Sequence, residues 1–300
     1  MNPQWEYQLP PLGIDLFAEV ACIWEVSARK VGNIFLGENF RDAGAVDFLL
    51  SAAAIRTLFQ FPGDMGTGLL IRRAAEATRA IVGTNTNLGI ILLLAPLVNS
   101  VQPFRGFRAA MRTGLENLSV QDTQQVYHAI RLANPGGLGA APEQDVRNEP
   151  TVTLLEAMKL AADRDMIARQ YANGFADIFD FGVPAFVAGF GRFGCVEAAI
   201  IDSQLRWLAE YPDSLITRKN DLAVAQDVQK QASEVLKLGG IATPEGRAAG
   251  VALDKHLRSD GNKLNPGTTA DLVTACLFVA LRENKVMPSA PFRWNVSDWL

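Results

Sequence analysis

The chain has 300 residues, 49% of them hydrophobic and 20% charged, with 28 Lys and Arg against 32 Asp and Glu for a formal net charge of -4. That balance provides no basic surplus with which to grip a polyphosphate backbone, so composition excludes nucleic acid as the partner class. Three separated cysteines (Cys22, Cys195, Cys276) and two histidines (His128, His256), without Cys-x-x-Cys or His-x-x-x-His spacing, exclude a disulfide framework and the usual zinc sites, and fit buried thiols in the cytoplasm.

The N-terminal stretch has no basic region followed by an apolar one, so no secretory signal is expected. Apolar residues at helical spacing start at Leu16, Val20, Ile23 and Trp24 and resume at Phe48, Leu49, Ala52, Ile55 and Phe59, where Pro62-Gly63 stops them. A third helix, Ile71 to Val82, ends at Gly83. The run Leu88 to Val98 (LGIILLLAPLV) is well short of the roughly 20 residues that cross a bilayer and reads as a buried helix, so no membrane partner is expected. After the Tyr127 segment, Asn134-Pro135-Gly136-Gly137 opens a stretch to Pro150 that is rich in Gly, Pro and charge, which we read as a functional loop rather than a linker. Leu154, Leu155, Met158 and Ile167 mark one further amphipathic helix, with Asp163 and Asp165 on different solvated faces of it. Thr217 is expected to start a helix to Leu238, Thr243-Pro244-Glu245 one to Leu257, and Pro266-Gly267-Thr268-Thr269 one from Ala270 to Leu281. Strand-like alternation is nearly absent. The expected fold is all-α, one domain over residues 1–300 with about ten helices.

Three polar interruptions between apolar helices carry the candidate chemistry. Glu25 to Asn33 ends a helix in Arg29-Lys30 and breaks at Gly32, a pattern that either stabilises the helix end or wraps a phosphate, with Asp42 near enough to hold magnesium. Gly83 to Gly89 sets Asn85, Thr86 and Asn87 ahead of an apolar helix whose first N–H groups favour an anion. Asn262 to Asp271 opens the last apolar helix, and Asp271 either caps it or aims a carboxylate into a shared site. Arg218 and Lys219 add a possible phosphate-binding pair. No Gly-x-Ser-x-Gly, P-loop or Rossmann fingerprint is present, and neither histidine sits in a recognisable catalytic motif.

In order and spacing these segments resemble the triphosphoribosyl-dephospho-CoA synthase family over most of the chain. The matching stretches are Glu25-Val26-Ser27 with Lys30 and Gly32, Phe40 to Asp42 with Asp47 to Leu49 and Ser51-Ala52, Gly83 to Gly89, Asp213 to Ile216 with Arg218, and Asn265 to Asp271. The resemblance implies an all-helical, magnesium-dependent transferase with ATP as ribosyl donor: the 2′-hydroxyl of dephospho-CoA attacks the ribose C1′, adenine leaves and the triphosphate stays attached. The family's Lys-Pro-Gly is Lys30-Val31-Gly32 here, its Gly-x-Asn-Thr-His-Lys-Gly is Gly83 to Gly89 with Asn87 and Leu88 in place of His and Lys, and Gly44 takes the second position of its Asp-x-Asp after Asp42. Such departures are similar to those of homologues in archaea and methanopterin-using bacteria. They imply two alternatives, another acceptor in tetrahydromethanopterin-linked coenzyme synthesis or a nucleotide-binding protein without turnover. On the leading reading Lys30, Gly32, Asn33, Asn85, Thr86, Asn87, Arg218, Lys219 and Thr268 hold substrate or phosphates. Asp42 and Asp271 hold Mg2+, and Asp42 or Asp145 takes the acceptor's proton.

Overall fold

The computed structural model describes residues 13–40, 43–100, 106–297 and 299–300 and folds them without a strand. In chain order the helices are α1 (Ile14–Ser27), α2 (Ala45–Phe59), α3 (Thr67–Val82), α4 (Leu88–Asn99), α5 (Phe107–Glu116), α6 (Val120–Ala133), α7 (Leu154–Lys159), α8 (Met166–Asn173), α9 (Val183–Phe193), α10 (Val196–Glu210), α11 (Ser214–Lys219), α12 (Leu222–Lys237), α13 (Pro244–Arg258) and α14 (Gly267–Arg282). A π-helical turn at Asp177–Gly182 and a 3-10 turn at Gly240–Ala242 complete the described set.

Two helices that are apolar on nearly every side organise the rest. In α4 every residue from Ile90 to Val98 is buried, and in α14 all of Leu272 to Leu281 is. At about 1.5–3 kcal/mol per fully buried large aliphatic chain, these two segments are the main hydrophobic anchor of the fold. Pro96 removes one N–H from α4, and the carbonyls near its C-terminal end find side chains instead: Ser100 Oγ donates to the Pro96 carbonyl at 2.5 Å and Arg282 to that of Leu97 at 2.6 Å. The α14 helix packs on α1, α4, α9 and α10, while α10, α12 and α13 enclose a second apolar cluster that also takes in Val31 and Trp299.

The described helices number fourteen rather than about ten, and two of the additional ones arise because expected helices are broken. The Leu154 to Ile167 segment splits at a turn, and Asp165, expected on a solvated helical face, is the N-cap of α8, accepting from the Ile167 and Ala168 N–H groups at 2.9 and 3.0 Å. Thr217 starts nothing. It lies inside α11, which Asp213 caps, and α12 starts afresh with Asp221 as its cap. Both breaks are Asp caps, whose carboxylates compete for backbone N–H groups more strongly than apolar spacing signals continuity. All three cysteines are buried and unpaired. Among the described residues no single helix is long and apolar enough to cross a membrane.

Candidate functional site

The three polar segments converge on one cavity of 760 Å³, walled by Asn33, Ile34 and Phe40 from the first, Thr84 to Gly89 from the second, and Asn265, Gly267, Thr268 and Asp271 from the third. Arg218, Lys219 and the loop carrying Asp145 close it from another side. Asp42 and its neighbour Arg41 lie outside the described residues, so the first segment is followed only as far as Phe40 and again from Ala43.

The α3–α4 connection is shaped by its own side chains. Gly83, at φ 76°, ends α3 in the left-handed region, and the Leu88 N–H donates to Asn85 Oδ1 at 3.1 Å, so Asn85 serves the start of α4. Thr86 Oγ1 lies 2.5 Å from Ser51 Oγ, which ties the loop to α2. Asn87 stands at the N-cap position, yet neither its Oδ1 nor its Nδ2 has a partner among the described residues although the residue is only 4% exposed. Buried amides are almost always hydrogen-bonded, so this orphaned one leaves a donor and an acceptor on the cavity wall open to water or a bound molecule.

Lys30 departs from the sequence expectation. It is fully buried and absent from the cavity wall, its ammonium caged by the carbonyls of Glu25, Ala28 and Ile34 and lying 3.1 Å from Glu25 Oε1. Burial depresses its pKa and the Glu25 carboxylate opposes that shift. Its charge is therefore spent on closing the turn after α1. Gly32 is also structural: at φ 67° its N–H donates to Asp254 Oδ1 at 2.7 Å, and a Cβ there would meet Leu257 within 2.5 Å. Asn33 does reach the cavity, with Nδ2 donating to the Pro266 carbonyl at 3.2 Å, which joins the first segment to the third.

The third segment is held by a residue outside the expected site list. The buried Asp213 accepts from Leu215 and Ile216 N–H at the start of α11, and its other oxygen accepts from the Thr269 N–H and hydroxyl at 2.7 and 2.8 Å. One carboxylate thus fixes two helix starts, while Thr268 and Thr269, expected as caps, lie inside the first turn of α14 beyond its N-cap Pro266. Asp271 makes no hydrogen bond among the described residues and faces the cavity beside Gly89, where a Cβ would come within 2.0 Å of its Oδ2. Burial, then the neighbouring Glu25 and Asp213 carboxylates, push its pKa well above the usual range, with Arg218 opposing. Burial also raises the pKa of Glu25, against the pull of Lys30. Arg218 NH1 pairs with Asp165 Oδ2 at 2.5 Å, while its buried Nε has no partner among the described residues. Lys219 donates to the Asn262 carbonyl at 2.7 Å.

Asp145 does not suit the role of base. Its carboxylate accepts from the Ala141 and Arg147 N–H groups and twice from the Arg147 guanidinium, all at 2.7–2.9 Å. Those bonds, the guanidinium's first, hold its pKa far below the usual carboxylate value. It organises the loop from Gly136 onward instead. Gly137, at φ 73°, packs that loop onto Arg218, whose carbonyl a Cβ would meet at 2.6 Å.

No group of three or more Asp, Glu, His or Cys able to cage a metal occurs among the described residues. The walls nevertheless fit magnesium in its usual mode of one or two carboxylates plus substrate oxygens, because burial and the nearby Glu25 carboxylate raise the cost of ionising Asp271 and a hard cation would relieve it. Glu25 was legible as a motif residue, but its place beside Asp271 depends on α1 and α14 packing together, which spacing does not reveal.

A helical shell thus encloses a cavity whose 760 Å³ falls in the range of small-molecule sites, with Glu25 and Asp271 on its wall and an orphaned amide at a helix start. The family model for ATP:dephospho-CoA triphosphoribosyl transferase (CitG) matches residues 13–289, and the chain belongs to that family of transferases. It is 28% identical over 200 residues to a Pseudomonas savastanoi pv. phaseolicola protein named "Probable 2-(5''-triphosphoribosyl)-3'-dephosphocoenzyme-A synthase", covering 59% of this chain and 68% of that one. A Vibrio cholerae serotype O1 protein of the same name is 33% identical over 217 residues, covering 67% of this chain and 60% of that one, so the match spans less than two thirds of this second relative. A crystal structure of an Archaeoglobus fulgidus protein assigned as a triphosphoribosyl-dephospho-CoA synthase superposes with TM-score 0.62 at 26% identity, over 79% of this chain and all of that one.

Proposed function

We propose that this protein transfers the triphosphoribosyl group of ATP to the 2′-hydroxyl of dephospho-CoA, releasing adenine. The observation that supports the reading is the meeting, in one cavity, of the three polar segments that a family match across residues 13–289 brings with it. In the step, the acceptor oxygen bonds to the ribose C1′, the C1′–N9 bond breaks, the hydroxyl proton passes to a carboxylate, and one proton, returned from that carboxylate or through solvent, neutralises the departing adenine. Positive charge grows on the ribose, and the Glu25 carboxylate, still ionised before it takes the proton, stabilises it at low dielectric. With Asp145 locked by Arg147, Glu25, whose carboxyl burial pushes above its ordinary pKa against the pull of Lys30, is the group we assign to take the proton. Asp271 would hold Mg2+ together with phosphate oxygens, and the ion would neutralise triphosphate charge there. Asn85, Asn87 and Thr268 would position the nucleotide. Incubation of the purified protein with ATP, Mg2+ and dephospho-CoA, followed by chromatography, should show adenine and the triphosphoribosylated product in equal amounts. Adenine release only with a different acceptor, or none with any, would reject this assignment.

A further inference from the structure

Among the described residues four cations line the cavity, Arg79, Arg164, Arg218 and Lys219. Three of them are engaged within the protein. Arg218 pairs with Asp165, Lys219 donates to the Asn262 carbonyl, and Arg164 donates to the Leu160 carbonyl at 2.8 Å. Arg79 makes no ion pair or side-chain hydrogen bond with any described residue, although Arg72 and Arg73 on the same helix both pair with Glu76. It stands in the last turn of α3, four residues before Gly83, and shares a small recess of the cavity region with Asn85, Asn87 and Leu88.

The same wall carries the start of α4. Leu88 N–H is taken by Asn85, whereas the Gly89 and Ile90 N–H groups have no partner among the described residues, as the first turn of any helix leaves them. Beside them the buried Asn87 amide is orphaned at both atoms. Leu88 adds no charge. The wall therefore offers neutral donors from α4 and Asn87, and a single uncommitted positive charge from Arg79.

We propose that Arg79 is a phosphate-binding residue of this cavity, clamping the triphosphate of the nucleotide donor against the start of α4. This rests on the transferase reading for the identity of the donor, but not for the binding itself. A guanidinium pairs bidentately with phosphate oxygens and brings a full positive charge, which an amide or a helix N-terminus lacks, and its position at the exposed end of α3 lets it meet the charged tail of the nucleotide rather than the reacting ribose. Dephospho-CoA also carries phosphates, so the same chemistry has two sources.

The test compares Arg79→Ala, Arg79→Lys and Arg73→Ala with the parent, by calorimetric titration with MgATP and by the Michaelis constants for ATP and for dephospho-CoA. We expect Arg79→Ala to weaken MgATP binding and raise the KM for ATP about tenfold, more than it lowers kcat, with Arg79→Lys in between and Arg73→Ala equal to the parent. The KM for dephospho-CoA should stay constant. A rise confined to the dephospho-CoA constant would overturn the assignment to the donor, and MgATP titrations that match the parent would overturn Arg79 as a phosphate ligand. If the parent releases no adenine, the transferase reading fails while the titrations still decide the role of Arg79.

Discussion

Replacing Gly89 by alanine should damage the site more than the fold, and the structure sets the scale. A Cβ at Gly89 would lie 2.0 Å from Asp271 Oδ2, 2.5 Å from its Cγ and 2.8 Å from Ile167 Cδ1. Alanine also gains up to about 1 kcal/mol of helix propensity, while overpacking a filled interior costs about 1–3 kcal/mol, so the net loss should be near 1 kcal/mol. For a chain of this size that lowers Tm by about 2–4 °C. The Asp271 carboxylate can give way only by leaving its niche, so MgATP affinity should fall at least about tenfold. Gly114 in α5 supplies the control, since no atom lies within 4 Å of a Cβ built there and Gly114→Ala should stabilise by about 0.5–1 kcal/mol without touching binding. Thermal melts and calorimetric titrations of the two variants check both signs. A Gly89→Ala protein that melts higher than the parent and binds MgATP as tightly would refute the close approach of Asp271 to α4.

Asp271→Asn should stabilise the ligand-free protein at neutral pH. A raised folded pKa contributes stability that is complete below the ordinary carboxylate value of about 4 and is lost as pH rises through the raised one, so the Tm advantage of the variant should appear above about pH 4 and vanish below it. Melts from pH 3.5 to 8 measure this, and a constant difference would contradict it. Lys30→Met should cost about 3–5 kcal/mol in denaturant unfolding by stranding the buried Glu25, and adding Glu25→Gln should recover much of the loss. A phosphate-facing Lys30 would instead change affinity and leave stability alone. Asp271→Ala should abolish the dependence of ATP affinity on magnesium, whereas Asp163→Ala, at an exposed turn, should not, as titrations with and without the metal will show. Asp145→Asn should speed proteolytic cutting between Gly136 and Pro150 while the pH dependence of turnover keeps its shape. A lost limb in that profile would restore Asp145 as the base.

The fold class was legible because α4 and α14 are so apolar that only a helical interior can hold them, and polar breaks between such helices have few places to go except a common pocket. The same reasoning could not rank the residues inside each break. Lys30 and Gly32 occupy a motif that reads equally well as a phosphate wrap or as a tight turn, and what decides between them is Glu25 and Leu257, one a turn earlier and the other far along the chain. Asp213 and Asp145 show the same limit in carboxylates: each looks free in sequence, and each is consumed by backbone donors that only the folded loop supplies. Asp271 is the converse, because its lack of such donors is visible only once α14 lies against Gly89. A polar side chain in this cavity can serve a ligand to the extent that the fold has not already used it. By that criterion the proposed binding role rests on Asn87, Asp271 and Arg79 rather than on Lys30 and Asp145.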